Sequence, residues 1–86
     1  MNIVIASRVL EKHKEITEEE IQEALEYVVS WKKRVCFRDE IVGIGITKKG
    51  KNIEFIYALY PDFLYVFHAQ LATKKVIKEL NLWKQK

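Results

Sequence analysis

Apolar residues recur at helical spacing in the first third of the chain. Val4 or Ile5, then Val9 and Leu10, fall on one side of a helix predicted over residues 3–14. His13 comes next on that same side, so the pattern places a titratable ring beside an apolar stripe.

A second helix is predicted to begin after Thr17. Thr17 and Glu20 have the spacing of a capping box, and the glutamates of the first turn suit the positive end of the helix dipole. The apolar stripe of this helix consists of Ile21, Ala24, Leu25, Val28 and Val29.

From residue 35 onward the apolar pattern alternates with the period of two that is typical of strands. The predicted strands cover residues 35–38, 41–47, 52–60 and 63–69, with turns at 39–40, 48–51 and 61–62. In the second strand Val42, Ile44 and Ile46 share one face, and Gly43 and Gly45 leave the other face bare. Short connections of this kind predict an antiparallel meander.

The last predicted strand is apolar on both faces. Its two sets of side chains are Phe63, Tyr65 and Phe67 on one face and Leu64, Val66 and His68 on the other. Thr73 is then expected to cap a final helix whose inward side chains are Val76, Ile77, Leu80 and Trp83. The sequence therefore predicts one α+β domain over residues 1–86, with two N-terminal helices, a four-stranded antiparallel sheet and a C-terminal helix. The helices are expected to cover one face of the sheet and to leave the other available.

Composition narrows the class of protein. Hydrophobic residues make up 49% of the chain and charged residues 31%, which fits a globular domain and argues against disorder. The single cysteine, Cys36, excludes an internal disulfide and zinc-finger spacing. The N-terminal apolar run is too short for a signal peptide and Arg8 interrupts it, and no segment is long enough to span a bilayer, so we expect a cytoplasmic protein.

Charge is distributed unevenly along the chain. Residues 1–40 carry seven Lys or Arg and nine Asp or Glu, whereas residues 41–86 carry eight Lys and three acidic residues. The positive half of the chain is suited to steering a polyanion, although a solvated surface explains the same charges.

Two segments resemble a known family. Residues 12–19 (KHKEITEE) are similar to the KHGVSFEEA segment near the start of BrnT-type toxins, and residues 68–75 (HAQLATKK) are similar to the SARRATKRE segment after their last strand. This resemblance implies the RelE/ParE-like fold of small ribonucleases and a toxin of a type II toxin–antitoxin system. It also implies cleavage of mRNA, either free or on the ribosome, and a cognate antitoxin as partner. The chain departs from the family at Gln70 and Leu71, which stand where the family has arginines, and at Lys14, which replaces a glycine.

The two histidines are the first candidates for catalytic residues. Metal-free cleavage of RNA needs a base for the 2′-hydroxyl proton, an acid for the leaving oxygen and cations around the phosphorane. His13 and His68 are the only histidines, and they approach one another if the first helix packs beside the end of the last strand. Lys74 and Lys75 follow the Thr73 cap, where a phosphate is favoured, so these four side chains are the candidate catalytic residues. No cofactor or metal is expected.

A second group of side chains is suited to contacts with an RNA backbone and bases. The candidates are Arg34, Arg38, Lys48, Lys49, Lys51 and Tyr65. Each has a structural explanation as well, because hairpin lysines are often solvated and aromatic side chains usually pack in the core. Two alternatives to a ribonuclease therefore stay open: a non-catalytic nucleic-acid-binding or protein-binding module of phage or plasmid type on the same fold, and a small adaptor that binds proteins through exposed aromatic residues.

Overall fold

The structure of the protein, a computed structural model, describes residues 2–35 and 39–81. Its elements are β1 (Asn2–Ile5), α1 (Ser7–Lys12), α2 (Glu18–Glu26), β2 (Val28–Val35), β3 (Asp39–Ile46), β4 (Asn52–Leu59), β5 (Phe63–Leu71) and α3 (Lys74–Glu79). The predicted α+β class is confirmed. Of the residues named above, Cys36, Arg38 and Trp83 lie outside the described ranges, and so do residues 36–38 of the strand predicted over 35–38.

The sheet has five strands in the order β1-β5-β4-β3-β2, and it is mixed. The antiparallel pairing of β2 through β5 agrees with the predicted meander, but β1 pairs in parallel with β5. The helix predicted over residues 3–14 is therefore wrong in its first part. Ile3, Val4 and Ile5 are β-branched and favour a strand, and the helix begins only at Ser7.

The second helix is shorter than its apolar stripe predicted. Its capping box is present, with the Thr17 hydroxyl accepting from the Glu20 N–H and the Glu20 carboxylate accepting from the Thr17 N–H. The helix ends at Glu26, and Val28 and Val29 are exposed residues of β2. The turn predicted at residues 39–40 is also wrong, because both residues belong to β3 and pair with β2.

Helices cover both faces of the sheet, which corrects the prediction of one open face. Phe55 and Ile56 are adjacent in β4 and point to opposite faces. One core contains Phe55 with residues of α1 and α2: Ala6, Val9, Ile16, Ile21, Ala24, Ile53, Phe55, Val66 and Ala69. On the other face Ile56 packs against a second core of Val42, Ile44, Val76 and Leu80, the last two from the α3 region.

The glycine face of β3 is the surface on which α2 rests. A Cβ atom placed on Gly45 would lie 1.8 Å from the carbonyl oxygen of Ala24, so the backbones of α2 and β3 are in direct contact. The face that the glycines leave without side chains is therefore present, and α2 covers it at Gly45. The missing side chains allow the close approach of α2.

A β-bulge interrupts β5 at Phe67, next to His68. Ile56 pairs with His68 and Tyr57 pairs with Val66, so Phe67 is an extra residue without a partner position in β4. The predicted alternation fails here. Val66 is fully buried in the core, whereas His68 is turned to the side of Ile56 and is partly exposed.

Beyond residue 66, next to the bulge, β5 is no longer paired with β1. β1 pairs only with residues 63–66 of β5, and the chain then leaves the sheet at Ala6, whose N–H donates to the Val66 carbonyl. α1 crosses the part of β5 that β1 leaves uncovered. This crossing brings the end of α1 next to His68.

Several local predictions are confirmed. Gly50 has a φ of 89° in the β3–β4 turn, and Thr73 caps α3 by accepting from the Val76 N–H. Val76 and Leu80 are buried. Among the described residues, no helix has the length and apolar character needed to cross a bilayer.

Candidate active site

A groove of about 320 Å³ lies between α1 and the bulged part of β5. Its lining residues are Arg8, Val9, Lys12, His13, Phe67, His68 and Ala69. The groove therefore combines both histidines of the chain with two cationic side chains from one helix. This is the set of groups that a phosphodiester needs for metal-free cleavage.

The two histidine rings meet edge to face. Their centroids are 6.2 Å apart with an interplanar angle of 81°. His13 is held at the end of α1 by a bond from its N–H to the Val9 carbonyl, and its Nδ1 lies 3.6 Å from the Glu15 carboxylate. The approach of the two rings, which the sequence predicted only conditionally, is present in the structure.

A buried carboxylate holds His68. The Nε2 atom of His68 lies 2.8 Å from Oε2 of Glu54, whose side chain is only 3% exposed. The same carboxylate accepts from the Gln70 amide at 3.0 Å, and from the N–H and the hydroxyl of Thr73 at 2.8 and 2.6 Å. Four donors thus surround Glu54, and the carboxylate fixes the ring of His68 in place.

Hydrogen bonding decides the charge of Glu54. Burial by itself would raise the pKa of the carboxyl group, because it removes water from the charged form. The bonds from His68, Thr73 and Gln70 outweigh that effect and lower the pKa of Glu54 to about 2. Glu54 is therefore ionised at neutral pH.

The ionised carboxylate in turn fixes the tautomer of neutral His68. A carboxylate without a proton can only accept hydrogen bonds, so Nε2 of His68 carries the hydrogen that it shares with Glu54. Nδ1 is then the nitrogen that can accept a proton. An acceptor nitrogen oriented by a buried carboxylate is the arrangement expected of a general base.

A second groove of about 340 Å³ opens on the α3 side of His68. It is lined by Arg34, Glu54, Ile56, His68, Gln70, Thr73, Lys75 and Val76. The structure thus brings Lys75 and His68 to one groove, as the sequence predicted, whereas Lys74 is exposed in the first turn of α3 and does not line it. Arg34 also belongs to this groove, but its guanidinium forms two hydrogen bonds, of 2.8 and 2.6 Å, with the Glu79 carboxylate.

The lysines of the β3–β4 turn lie away from both grooves. Lys48 and Lys49 line a separate groove with glutamates of α2. Lys51 forms an ion pair with Glu20 at 2.8 Å and donates to the Glu15 carbonyl. The lysines that were predicted to contact an RNA backbone therefore do not lie beside the histidines.

Tyr65 and Arg38 are the remaining residues that were predicted to contact RNA. Tyr65 stacks on Phe67 with centroids 6.4 Å apart and packs against the core, and it lines neither histidine groove. Arg38 lies outside the described residues.

Sequence reasoning did not single out Glu54. The available signal was a carboxylate between Ile53 and Phe55 in an otherwise apolar strand, which is costly unless donors surround it. The donors themselves come from residues 68–73, and their approach depends on the pairing of β4 with β5 and on the bulge.

Comparisons with protein-family models, curated proteins and solved structures found no match to this chain. Within residues 2–35 and 39–81, no group of three or more His, Cys, Asp or Glu side chains is arranged to hold a metal ion.

Proposed function

We propose that the protein is a metal-independent endoribonuclease that cleaves single-stranded RNA in the groove between α1 and β5. The observation that carries the proposal is the pair of histidines 6.2 Å apart, one of them held by a buried carboxylate. Arg8 and Lys12 line the same groove and supply positive charge for a phosphate.

The proposed reaction assigns one histidine to each proton transfer. Nδ1 of His68 takes the proton from the 2′-hydroxyl, and the 2′-oxygen attacks the adjacent phosphorus. The bond from phosphorus to the 5′-oxygen breaks, and protonated His13 donates a proton to that oxygen. The products are a 2′,3′-cyclic phosphate and a 5′-hydroxyl end, so atoms and charge balance without a further reactant.

The resemblance to BrnT-type toxins supports the same proposal. It implies a RelE/ParE-like fold, mRNA as the substrate, free or on the ribosome, and neutralisation by a cognate antitoxin in the cytoplasm. Lys75 extends the positive charge into the second groove beside His68. A substrate strand that lies across His68 therefore meets cations from both α1 and α3.

The test is cleavage of a defined single-stranded RNA in excess chelator. We expect His68→Ala and His13→Ala each to lower the cleavage rate by about 100-fold or more, the usual contribution of a positioned acid or base. Lys78→Ala, an exposed change on α3, serves as the control that leaves the rate unchanged. Chemical identification of the ends should show a 2′,3′-cyclic phosphate.

Two results would contradict the proposal. One is cleavage by the wild type that His68→Ala leaves intact, since the activity then comes from another site or a contaminant. The other is the absence of cleavage on both free RNA and ribosome-bound mRNA, with circular dichroism showing a folded protein.

A second candidate function is nucleic-acid binding without cleavage. The observation that favours it lies at the two positions where BrnT-type toxins have arginines: the Gln70 amide is bound to Glu54, and Leu71 is an exposed apolar residue. RNA binding that weakens steeply with salt, and that His68→Ala does not change, is the expected result for this function.

A further inference from the structure

Gln70 offers the second groove, on the α3 side of His68, an acceptor that the protein does not use. Its Nε2 group donates to Oε2 of Glu54 at 3.0 Å. Because Glu54 is ionised and can only accept, the amide nitrogen faces the carboxylate and the amide oxygen, Oε1, faces away from it. Among the described residues, no group donates to Oε1 of Gln70. The amide is therefore held in one orientation with its oxygen available to a ligand.

This acceptor lies next to the proposed general base. Oε2 of Glu54 binds both the Gln70 amide and Nε2 of His68, so the two side chains are direct neighbours on one carboxylate oxygen. Both line the second groove, whose volume is about 340 Å³. Ile56 and Val76 add apolar surface to the same groove. Apolar walls with one oriented acceptor are suited to a planar ring that carries a hydrogen-bond donor.

The two grooves that meet at His68 differ in charge. The groove beside α1 contains two cationic side chains and, among the described residues, is lined by no acidic one. The second groove contains the carboxylate of Glu54, and its cations, Arg34 and Lys75, both act on the nearby carboxylate of Glu79. A phosphate is therefore favoured in the groove beside α1, and an uncharged nucleobase in the second groove.

The chemistry of a ribonucleotide links the two grooves. The base and the 2′-hydroxyl are attached to neighbouring carbons of the ribose, so a 2′-hydroxyl that reaches His68 can bring its own base next to Gln70. Adenine, cytosine and guanine carry an exocyclic amino group, which can donate to a single acceptor. The only ring N–H of uracil that is free in RNA lies between two carbonyl oxygens, which the negative charge of Glu54 repels.

We propose that the second groove binds the base of the nucleotide at which RNA is cut, and that Oε1 of Gln70 selects bases with an exocyclic amino group over uracil. This inference rests on the proposed ribonuclease activity for its substrate, although binding of the base needs no cleavage. Gln70 contacts the base in this arrangement and takes no part in the proton transfers.

The test uses DNA oligonucleotides that contain a single ribonucleotide, because such a strand has one 2′-hydroxyl and can be cut at one position only. We expect the wild type to cut at adenosine, cytidine and guanosine about fivefold or more faster than at uridine. Purine riboside, which is adenosine without its amino group, should be cut about fivefold more slowly than adenosine. This comparison uses the wild type alone and depends on the folding of no variant.

A substitution at Gln70 connects the preference to the amide. Gln70→Met keeps the length of the side chain and removes both polar groups. The variant should cut more slowly in general, because Glu54 loses one donor, but it should cut adenosine and purine riboside at equal rates. Gln22→Met, the same change at an exposed position of α2, should keep the wild-type ratio of the two rates. Circular dichroism checks that both variants are folded.

A binding measurement separates this inference from the ribonuclease. The same oligonucleotides with a deoxyribose at the tested position cannot be cut, and fluorescence anisotropy gives their affinities. Tighter binding of adenine than of purine in the wild type, lost in Gln70→Met, supports the base site even where no RNA is cleaved.

Three results would overturn the base site while the ribonuclease stands. The first is His68-dependent cleavage with equal rates at adenosine and purine riboside. The second is cleavage at uridine as fast as at the other three nucleotides, and the third is a preference for adenosine over purine riboside that Gln70→Met leaves unchanged. Oligonucleotides that are neither cut nor bound would overturn both proposals.

Discussion

Replacing Glu54 by glutamine should change how the stability of the protein depends on pH. The carboxylate of Glu54 accepts four hydrogen bonds, from His68, Gln70 and both donors of Thr73. Glutamine keeps the size of the side chain but removes its charge and one of its acceptor oxygens. The substitution therefore tests whether the network depends on an ionised group.

The size of the expected change in folding free energy follows from the pKa of Glu54. Moving the pKa of one carboxyl from 4.5 in the unfolded chain to about 2 in the folded protein corresponds to about 3 kcal/mol of folding free energy. Because the folded pKa is the lower one, this contribution is complete above pH 4.5 and is lost as the pH falls towards 2. For a chain of 86 residues the total stability is about 4–13 kcal/mol, so the loss is large enough to measure.

The assay is urea unfolding followed by far-ultraviolet circular dichroism, at several pH values between neutral and 2.5. We expect Glu54→Gln to be less stable than the wild type by about 2–3 kcal/mol at neutral pH. The difference should shrink steadily below pH 4.5, since the unfolded wild-type chain then takes up a proton on Glu54 that the folded protein accepts only near pH 2. Glu11→Gln, on the exposed surface of α1, is the matched control and should follow the wild type throughout.

A constant difference between wild type and Glu54→Gln across this pH range would refute the reasoning. The cost of the substitution would then come from packing or from the amide group alone, and the carboxylate would not be held in its charged form. A variant as stable as the wild type at neutral pH would refute it equally.

Other substitutions test the packing and the capping of the fold. Gly45→Ala should destabilise the protein by about 3 kcal/mol or more in urea unfolding, because the new methyl group overlaps the backbone of Ala24. Arg34→Met should lower stability by about 1 kcal/mol, and the loss should diminish in high salt, since a partly exposed ion pair with Glu79 is removed. Thr17→Ala removes the hydroxyl of the capping box and should cost about 1 kcal/mol, with a matching fall in thermal midpoint by calorimetry.

The local features of the fold could be predicted because neighbouring residues encode them. The Thr17 capping box, the positive φ of Gly50 and the Thr73 cap each depend on a few consecutive residues, and all three are present. The boundary between α2 and β2 could not be predicted in this way. Val28 and Val29 satisfy a helical stripe, and only the pairing of Val28 and Ser30 with β3 makes this segment part of a strand.

The candidate site depends on structural features that neighbouring residues in the sequence do not indicate. The extra residue Phe67 turns His68 away from the face of Val66, and no feature of the β5 sequence indicates this bulge. β1 ends early enough for α1 to cross β5, and this crossing brings His13 to His68. Sequence reasoning named both histidines, but it could not supply the carboxylate of Glu54 that orients one of them.

Thr73 connects the stability of α3 to the orientation of His68. Its hydroxyl donates to Glu54 and accepts from the Val76 N–H, so one oxygen atom belongs both to the site and to the helix cap. Thr73→Val should therefore loosen α3 and leave the Glu54 carboxylate with one donor fewer. If His68 acts as a base, the variant should lose cleavage activity together with stability, whereas Thr17→Ala, which removes the other hydroxyl cap, should lose stability alone. Equal activity of both variants, measured where each is folded, would show that the carboxylate orients His68 without help from α3.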